Sequence, residues 1–445
     1  MAVPARADTI RLRPLFERRA GHTGLHWRPP GRAWPLWVIT AGMPFMFLLG
    51  LQGLAWAAPG AVFGLTVFTS KARFPRRAGW LALFLVWMVL AATMLTPAEW
   101  PLFAYRSLLF GGALACLGWI ANEPEERTPT PVIVSWLASL WIVCIACGYL
   151  ALVLPSLNAL SPFQRLTGGF GRIQFIDDIS RWRFTQYETG RGLRLPRPSA
   201  PFAFTNGWGA AVALLTPYFA WSWLVAARGR RRKVGMLLMV LAVPPVMVSG
   251  NRGVWISVCA ALLYWTARQA LRRDFRPLGA LVAMAVVVAV IFVVTPAGTL
   301  FSERLKTSDR STESRGSIYE AAWQGTLRSP LLGNAKPEQI TDSTLPPIGT
   351  HGLLWYLMYV HGFVGLGLFL LWLGSEVVHS GRRITTPDRW WAHLPLVIAA
   401  IQMPYYGMQP QVVLFGVAAG IAIRVRAPAA EAASAEAEAD ARASG

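Results

Sequence analysis

Long apolar runs separated by short polar breaks occupy the chain from residue 35 to residue 423. A helix that spans a bilayer needs about 20 mostly apolar residues, and somewhat fewer near the bilayer edge. On that measure the pattern predicts twelve spans, at 35–52, 54–70, 79–96, 101–121, 132–155, 204–227, 234–249, 252–267, 277–297, 351–374, 391–405 and 409–423. The first pair is one apolar stretch broken around Gly50, Gly53 and Pro59, and Pro404 and Pro410 mark the turn in the last pair. The predicted fold class is an all-α polytopic membrane protein with about 12 transmembrane helices.

Two segments, 156–203 and 298–350, interrupt this rhythm with about fifty residues each. Loops of that length are either functional or disordered, and their Trp, Phe, Tyr, Pro and Gly content argues against disorder. Within the second, Ile318, Ala322 and Leu327 fall on one side of an amphipathic helix suited to the interface plane. The chain thus divides into a basic N-terminal segment (1–33), a single transmembrane domain (34–427) and an Ala/Glu-rich tail (428–445) expected to be disordered. The first 33 residues are basic and polar and do not read as a cleavable signal peptide.

Composition sharpens this picture. Hydrophobic residues make up 54% of the 445 and charged residues only 14%, against about a quarter charged in a soluble domain. A soluble enzyme, a disordered protein and a disulfide-stapled secreted domain are excluded. Cys116, Cys144, Cys147 and Cys259 all lie in apolar runs, so the CxxC spacing at 144–147 reads as membrane filler rather than a redox or metal site. The net charge of +20 points to loops facing an anionic leaflet or to anion sites, not to nucleic acid.

Charge also sets orientation, because Lys and Arg stay on the cytoplasmic side. With twelve spans the basic clusters at 6–32, 71–77, 228–233, 268–276, 382–389 and 424–442 share one face with most of the 42 Lys and Arg. Both termini are then cytoplasmic, and the two long loops are extracytoplasmic. The first long loop breaks the rule, with Arg165, Arg172, Arg181, Arg183, Arg191, Arg194 and Arg197 against only Asp177, Asp178 and Glu188. Holding an anion outside the membrane would account for it.

Four polar constellations gather on that outer side. Arg197-Pro-Ser-Ala-Pro leads through Thr205 and Asn206 into a span, where either of the last two could instead serve as a helix N-cap. Ser249-Gly-Asn-Arg252-Gly-Val-Trp255 forms a tight turn that puts Arg252 at a helix start, either as a functional ion or as a snorkelling side chain. Arg315 stands near the start of the amphipathic helix, which continues through Trp323 to Pro330-Leu-Leu-Gly333. His351 opens a further span, whereas His361, ten residues inside it, reads as a packing residue. Arginines bind phosphate oxygens as a rigid, permanently charged fork. A histidine titrates near the operating pH and can accept a hydroxyl proton. Several arginines with one histidine at an outer membrane surface suit displacement at a lipid-linked sugar diphosphate.

These residues resemble the O-antigen ligase and O-antigen polymerase superfamily of bacterial membrane glycosyltransferases, best over 197–366. The family's Arg-rich approach with an Asn before a span is matched by Arg197 and Asn206. Its Ser-Arg-Gly-like turn is matched by Asn251-Arg252-Gly253. Its Arg, helix and Pro-Leu-x-Gly are matched by Arg315, Trp323 and Pro330 to Gly333, and its His with paired glycines by His351, Gly362 and Gly365. The chain departs from the family at Gly352, where Asn is common after the His, and at Val360, where Glu is common.

The resemblance implies a metal-independent, cofactor-free transferase that acts on an undecaprenyl-diphosphate-linked glycan outside the cytoplasmic membrane. His351 would be catalytic, and Arg197, Arg252 and Arg315 would bind the donor diphosphate, with Arg191, Arg194 and Asn206 as accessory residues. A glycan or glycolipid acceptor, the bilayer, and a chain-length regulator or flippase of the same pathway are the implied partners, with no nucleic acid. Two other readings stay open. One is a lipid-linked oligosaccharide flippase or transporter, which the bare mid-span positions disfavour. The other is a peptidoglycan-type glycosyltransferase, for which Asp342 would have to supply the pivotal acid.

Overall fold

The computed structural model describes residues 31–187, 196–276, 278–279, 281–282, 309–338, 347–348, 351–382 and 384–425. The span expected at 277–297 lies largely outside the described residues, as do the basic segment to residue 30 and the tail. The described chain is mainly helical: α1 (Ala78–Ala91), α2 (Trp100–Asn122), α3 (Thr130–Val153), α4 (Thr205–Phe219), α5 (Gly229–Ser249), α6 (Arg252–Leu271), α7 (Asp309–Arg328), α8 (Leu353–Arg382), α9 (Pro387–Gln402) and α10 (Val412–Arg424).

Among the described residues, five helices are long and apolar enough to cross a membrane: Pro97–Asn122, Thr130–Val153, Thr205–Val225, Gly229–Ser249 and Leu353–Arg382. A sixth is added if Gly31–Val38 and Met43–Leu49, bent by 63°, form one broken span. That break precedes the one expected at Gly50. Pro44 sits in the first turn of the second piece, where its missing N–H costs nothing and its ring cannot continue the preceding helix. Leu54–Thr69, Ala78–Met94 and Val412–Arg424 are shorter apolar helices. The outer sides of α1 and α5 expose Leu83, Val86, Val89, Leu237 and Val240, a density of exposed aliphatics that water would penalise and lipid does not.

Helix packing uses small residues where backbones meet. A Cβ on Gly416 of α10 would lie 1.9 Å from the Ala113 carbonyl oxygen of α2, so only glycine permits this approach. The Pro-Leu-Leu-Gly333 motif has a similar part. Gly333, with φ of 71°, and Gly362, with φ of 68° inside α8, back onto each other where α8 is broken. The backbone groups freed by the break find partners there: Asn334 N–H donates to Tyr359 O at 2.9 Å, and Phe363 N–H donates to Pro330 O at 2.8 Å. Two of the family-like motifs therefore act as a packing joint between the α7–α8 connection and α8.

The helix ends fall into two groups. At one end Arg77 pairs with Glu376 (3.3 Å) and Arg424 with Glu125 (2.7 Å). There too Arg268 donates to Tyr264 (2.9 Å), whose hydroxyl lies 2.8 Å from His393 Nε2. The basic clusters at 71–77, 268–276 and 382–389 converge here. At the opposite end lie the start of α2, the end of α3, the α5–α6 turn, the start of α8 and the α9–α10 connection.

The described part of the first long loop folds at that second end. Its short helices Pro162–Thr167 and Gln174–Ser180 accompany two antiparallel pairs, Asn158–Ala159 with Trp182–Arg183 and Thr185–Tyr187 with Pro196–Pro198. Trp182 Nε1 donates to Phe47 O at 2.8 Å and ties the loop to the N-terminal helices. Two of the loop arginines expected to hold an anion are engaged inside it, Arg181 with Asp177 (2.8 Å) and Arg183 with Asp178 (3.2 Å).

Partial burial opposes the charge on Asp177, but hydrogen bonds from Arg181 and Gln164 outweigh it and hold the carboxyl below its ordinary value of 3.8. Since the folded-state value lies below the unfolded one, the tie is complete above pH 3.8 and fails as pH falls through the lower folded value. Amide-exchange protection of residues 161–181, corrected for intrinsic rates, should be level from pH 7 to about 5 and drop below pH 4, a dependence that Asp177→Asn removes.

Candidate functional site

The second end of the bundle carries all four constellations, and a loop between α9 and α10 joins them. The α5–α6 turn reverses at Gly250, whose φ is 61°, and leaves Asn251 as the residue that precedes α6. Asn251 is buried and does not cap its own helix. Its Nδ2 donates to Thr205 O of α4 at 3.0 Å, and its Oδ1 accepts from the Tyr406 hydroxyl at 2.6 Å. Tyr406 O in turn accepts from the Leu353 N–H that opens α8. Leu354 N–H donates to Met403 O at 3.0 Å. Each bond satisfies a backbone or amide group that burial would otherwise leave without a partner.

The same loop reaches the other elements. Gln411 Nε2 donates to Gly207 O at 2.9 Å, and Gln402 Nε2 donates to Ala210 O at 3.3 Å, both on α4. Tyr319 of α7 donates to Pro404 O at 3.4 Å and stacks on Trp355 with ring centroids 4.4 Å apart. The amphipathic helix expected in the second long loop is present as α7 and lies against the start of α8. Ile318 and Ala322 of its predicted apolar side are buried, whereas Leu327 and Trp323 are exposed.

The expected site residues are placed as follows. Arg252 is the first residue of α6 and is exposed. His351 is half-buried and immediately precedes Gly352, whose φ of 127° turns the chain into α8 against the Pro404 carbonyl. Arg197 is half-buried, and its Nε donates to Ser249 O at 2.8 Å, at the C-terminal end of α5 where carbonyls lack helical partners. One donor of Arg197 thus holds the turn that carries Arg252. Arg315 lies in α7, but its side chain is outside the described part, and Arg191 and Arg194 lie outside the described residues altogether.

Asn206 is half-buried in the first turn of α4, which differs from the N-cap role weighed for Thr205 or Asn206. Phe204 is the cap residue, and the Thr205 N–H is satisfied by Gln186 Oε1 at 3.0 Å. The strand pair that faces Gln186 to Arg197 brings this cap from outside the helix. His361 is buried, with its ring edge-on to Phe84 (5.3 Å) and Tyr356 (5.9 Å), as a packing histidine would be.

Sequence reasoning missed Tyr406, the residue on which the junction turns. The Tyr405-Tyr406 pair between Pro404 and Pro410 was a usable clue, since a phenol in a break between apolar helices needs a partner for its hydroxyl.

The segment from 234 to 370 matches the model of a family described as O-antigen ligase. That match contains Arg252, Arg315 and His351, and it supports the O-antigen ligase/polymerase superfamily. No curated protein matches the chain.

Removing the Tyr406 hydroxyl leaves Asn251 Oδ1 buried without its donor. Tyr406→Phe should therefore lower stability in detergent by about 1–2 kcal/mol. Gly253→Ala should cost at least as much, because its Cβ would lie 2.5 Å from the Tyr406 ring and hydroxyl. Thermal unfolding of the purified variants checks both.

Proposed function

With an O-antigen ligase region at 234–370 as the premise, we propose that the chain transfers a glycan from an undecaprenyl-diphosphate donor to a sugar acceptor on the outer face of the cytoplasmic membrane. The observation that carries this reading is the joining of the α6 start and the α8 start through Asn251 and Tyr406, which puts Arg252 and His351 at one end of the bundle. That end lies opposite the one where the basic clusters pair with Glu376 and Glu125. Lys and Arg clusters mark the cytoplasmic face, so the junction faces outward. The reading takes a twelve-span topology with both termini inside, which keeps the basic clusters on one face.

In the proposed reaction Arg252, Arg315 and Arg197 bind the diphosphate, with Arg191, Arg194 and Asn206 as accessory contacts. His351, as neutral imidazole, takes the proton of the acceptor hydroxyl. The hydroxyl oxygen bonds to the anomeric carbon from the side opposite the diphosphate. The carbon–oxygen bond to the diphosphate breaks with its electron pair, and the charge that develops there meets the arginines. The outcome is inversion at the anomeric carbon. The diphosphate is already a good leaving group, so no acid catalyst or metal is required.

Product size separates the two members of this class: a single addition marks a ligase, and a ladder marks a polymerase. The alternative of a lipid-linked oligosaccharide flippase uses the same donor and predicts movement between leaflets without a new glycosidic bond.

The test is glycan transfer in proteoliposomes with a synthetic undecaprenyl-diphosphate oligosaccharide and a metal chelator. Wild type should form chelator-resistant product, and His351→Ala should form none. Arg252→Lys should lose about a hundredfold in rate, because a point charge does not reproduce the bidentate fork. Full transfer by His351→Ala would remove the general base, and donor movement with no product would establish the flippase.

A further inference from the structure

A second charged site lies beside Tyr356, one turn into α8, and its lining includes none of Asn251, Arg252 and His351. Arg106 stands on α2, six residues after Trp100 and so about 9 Å along the helix axis. An ionisable residue at that depth in a membrane-crossing helix is costly and calls for a reason. Its guanidinium lies over the Tyr356 ring of α8, 5.5 Å from the centroid. Its Nε is buried and, among the described residues, has no hydrogen-bond acceptor.

Arg106 lines a cavity of about 470 Å³ with Leu102, Phe103, Lys336, Glu338 and Pro347. The other charged residues of this cavity each have a hydrogen-bond or ion-pair partner. Lys336 pairs with Glu99, and Glu338 accepts from the Tyr359 hydroxyl at 2.8 Å. Arg106 forms no ion pair with a carboxylate among the described residues, and its Nε is left without an acceptor. A buried guanidinium donor without an acceptor is strongly unfavourable, and a bound anion would relieve it.

The surroundings say what kind of anion. Leu95, Leu102 and Phe103 give the cavity an apolar wall, and the neighbouring Met94 and Trp100 are 49% and 48% exposed on the outer side of the bundle. Exposed tryptophan of this kind sits at headgroup depth in a bilayer. A free ion gains nothing from such walls, whereas an amphiphile buries its first methylenes there while its charge meets the guanidinium.

We propose that this cavity binds the phosphate headgroup of a membrane amphiphile, with Arg106 as the anion ligand, separately from the diphosphate site assigned to Arg252. The site does not depend on the transferase reading, and a failed transfer assay leaves it standing.

Calorimetric titration of the purified full chain with dodecyl phosphate tests it, in an Arg252→Gln background that weakens the other arginine site. That background should bind one dodecyl phosphate, and inorganic phosphate about tenfold or more weakly. Adding Arg106→Gln should weaken dodecyl phosphate binding about tenfold, the loss of one charge-assisted contact. Ala98→Trp, an exposed residue of the cavity wall, should have a similar effect with every charge retained, which covers the case in which Arg106→Gln does not fold. Unchanged affinity in the folded variants would overturn the proposal. So would inorganic phosphate that binds as tightly as dodecyl phosphate.

Discussion

The hydrogen bonds from Tyr406 to Asn251 and from Asn251 to Thr205 are the constraint on which the end of the bundle that carries Arg252 and His351 depends. Three helix starts and one connection meet there, and each brings backbone groups with no partner in their own helix. Where the junction is buried, as at Asn251, water does not satisfy them. The amide of Asn251 serves two elements at once, and the Tyr406 backbone serves a third through Leu353. Loss of any one member leaves a buried polar atom unmet, so the arrangement is held as a unit. Arg252 follows Asn251 and His351 precedes Leu353 by two positions, so this unit positions both.

The two ends of the bundle solve the charge problem differently. At the basic end Arg77 pairs with Glu376 and Arg424 with Glu125, and Arg424 and Arg272 donate to Thr128 O at 2.6 Å and Ile384 O at 3.0 Å. At the opposite end several arginines serve the architecture. Arg181 and Arg183 fasten their loop, and Arg197 closes the end of α5 with one donor. The arginines of the first long loop thus have a structural share, and only those outside it remain to be assigned to a ligand.

Much of the helical plan was legible along the chain, because apolar runs of membrane length carry their own boundaries. The turn at 249–252 and the helix around Trp323 were readable for the same local reason, Gly-Asn reversal in one and amphipathic spacing in the other. What sequence did not disclose was long-range. Gln186 caps α4 from a strand pair, Tyr406 reaches Asn251 across 155 positions, and Arg106 lies over Tyr356. Periodicity contains no information about such contacts. The motif Pro330 to Gly333 was legible as a motif, but its role as a docking joint for the break at Gly362 required the backbone.

The central claim is that the outer junction holds a base separate from the groups that bind the donor. Donor binding and transfer measured side by side for His351→Gln test it most directly. The account predicts that donor affinity stays within about twofold of wild type while glycosidic bond formation is lost. Transfer that persists at the wild-type rate with His351→Gln would contradict it.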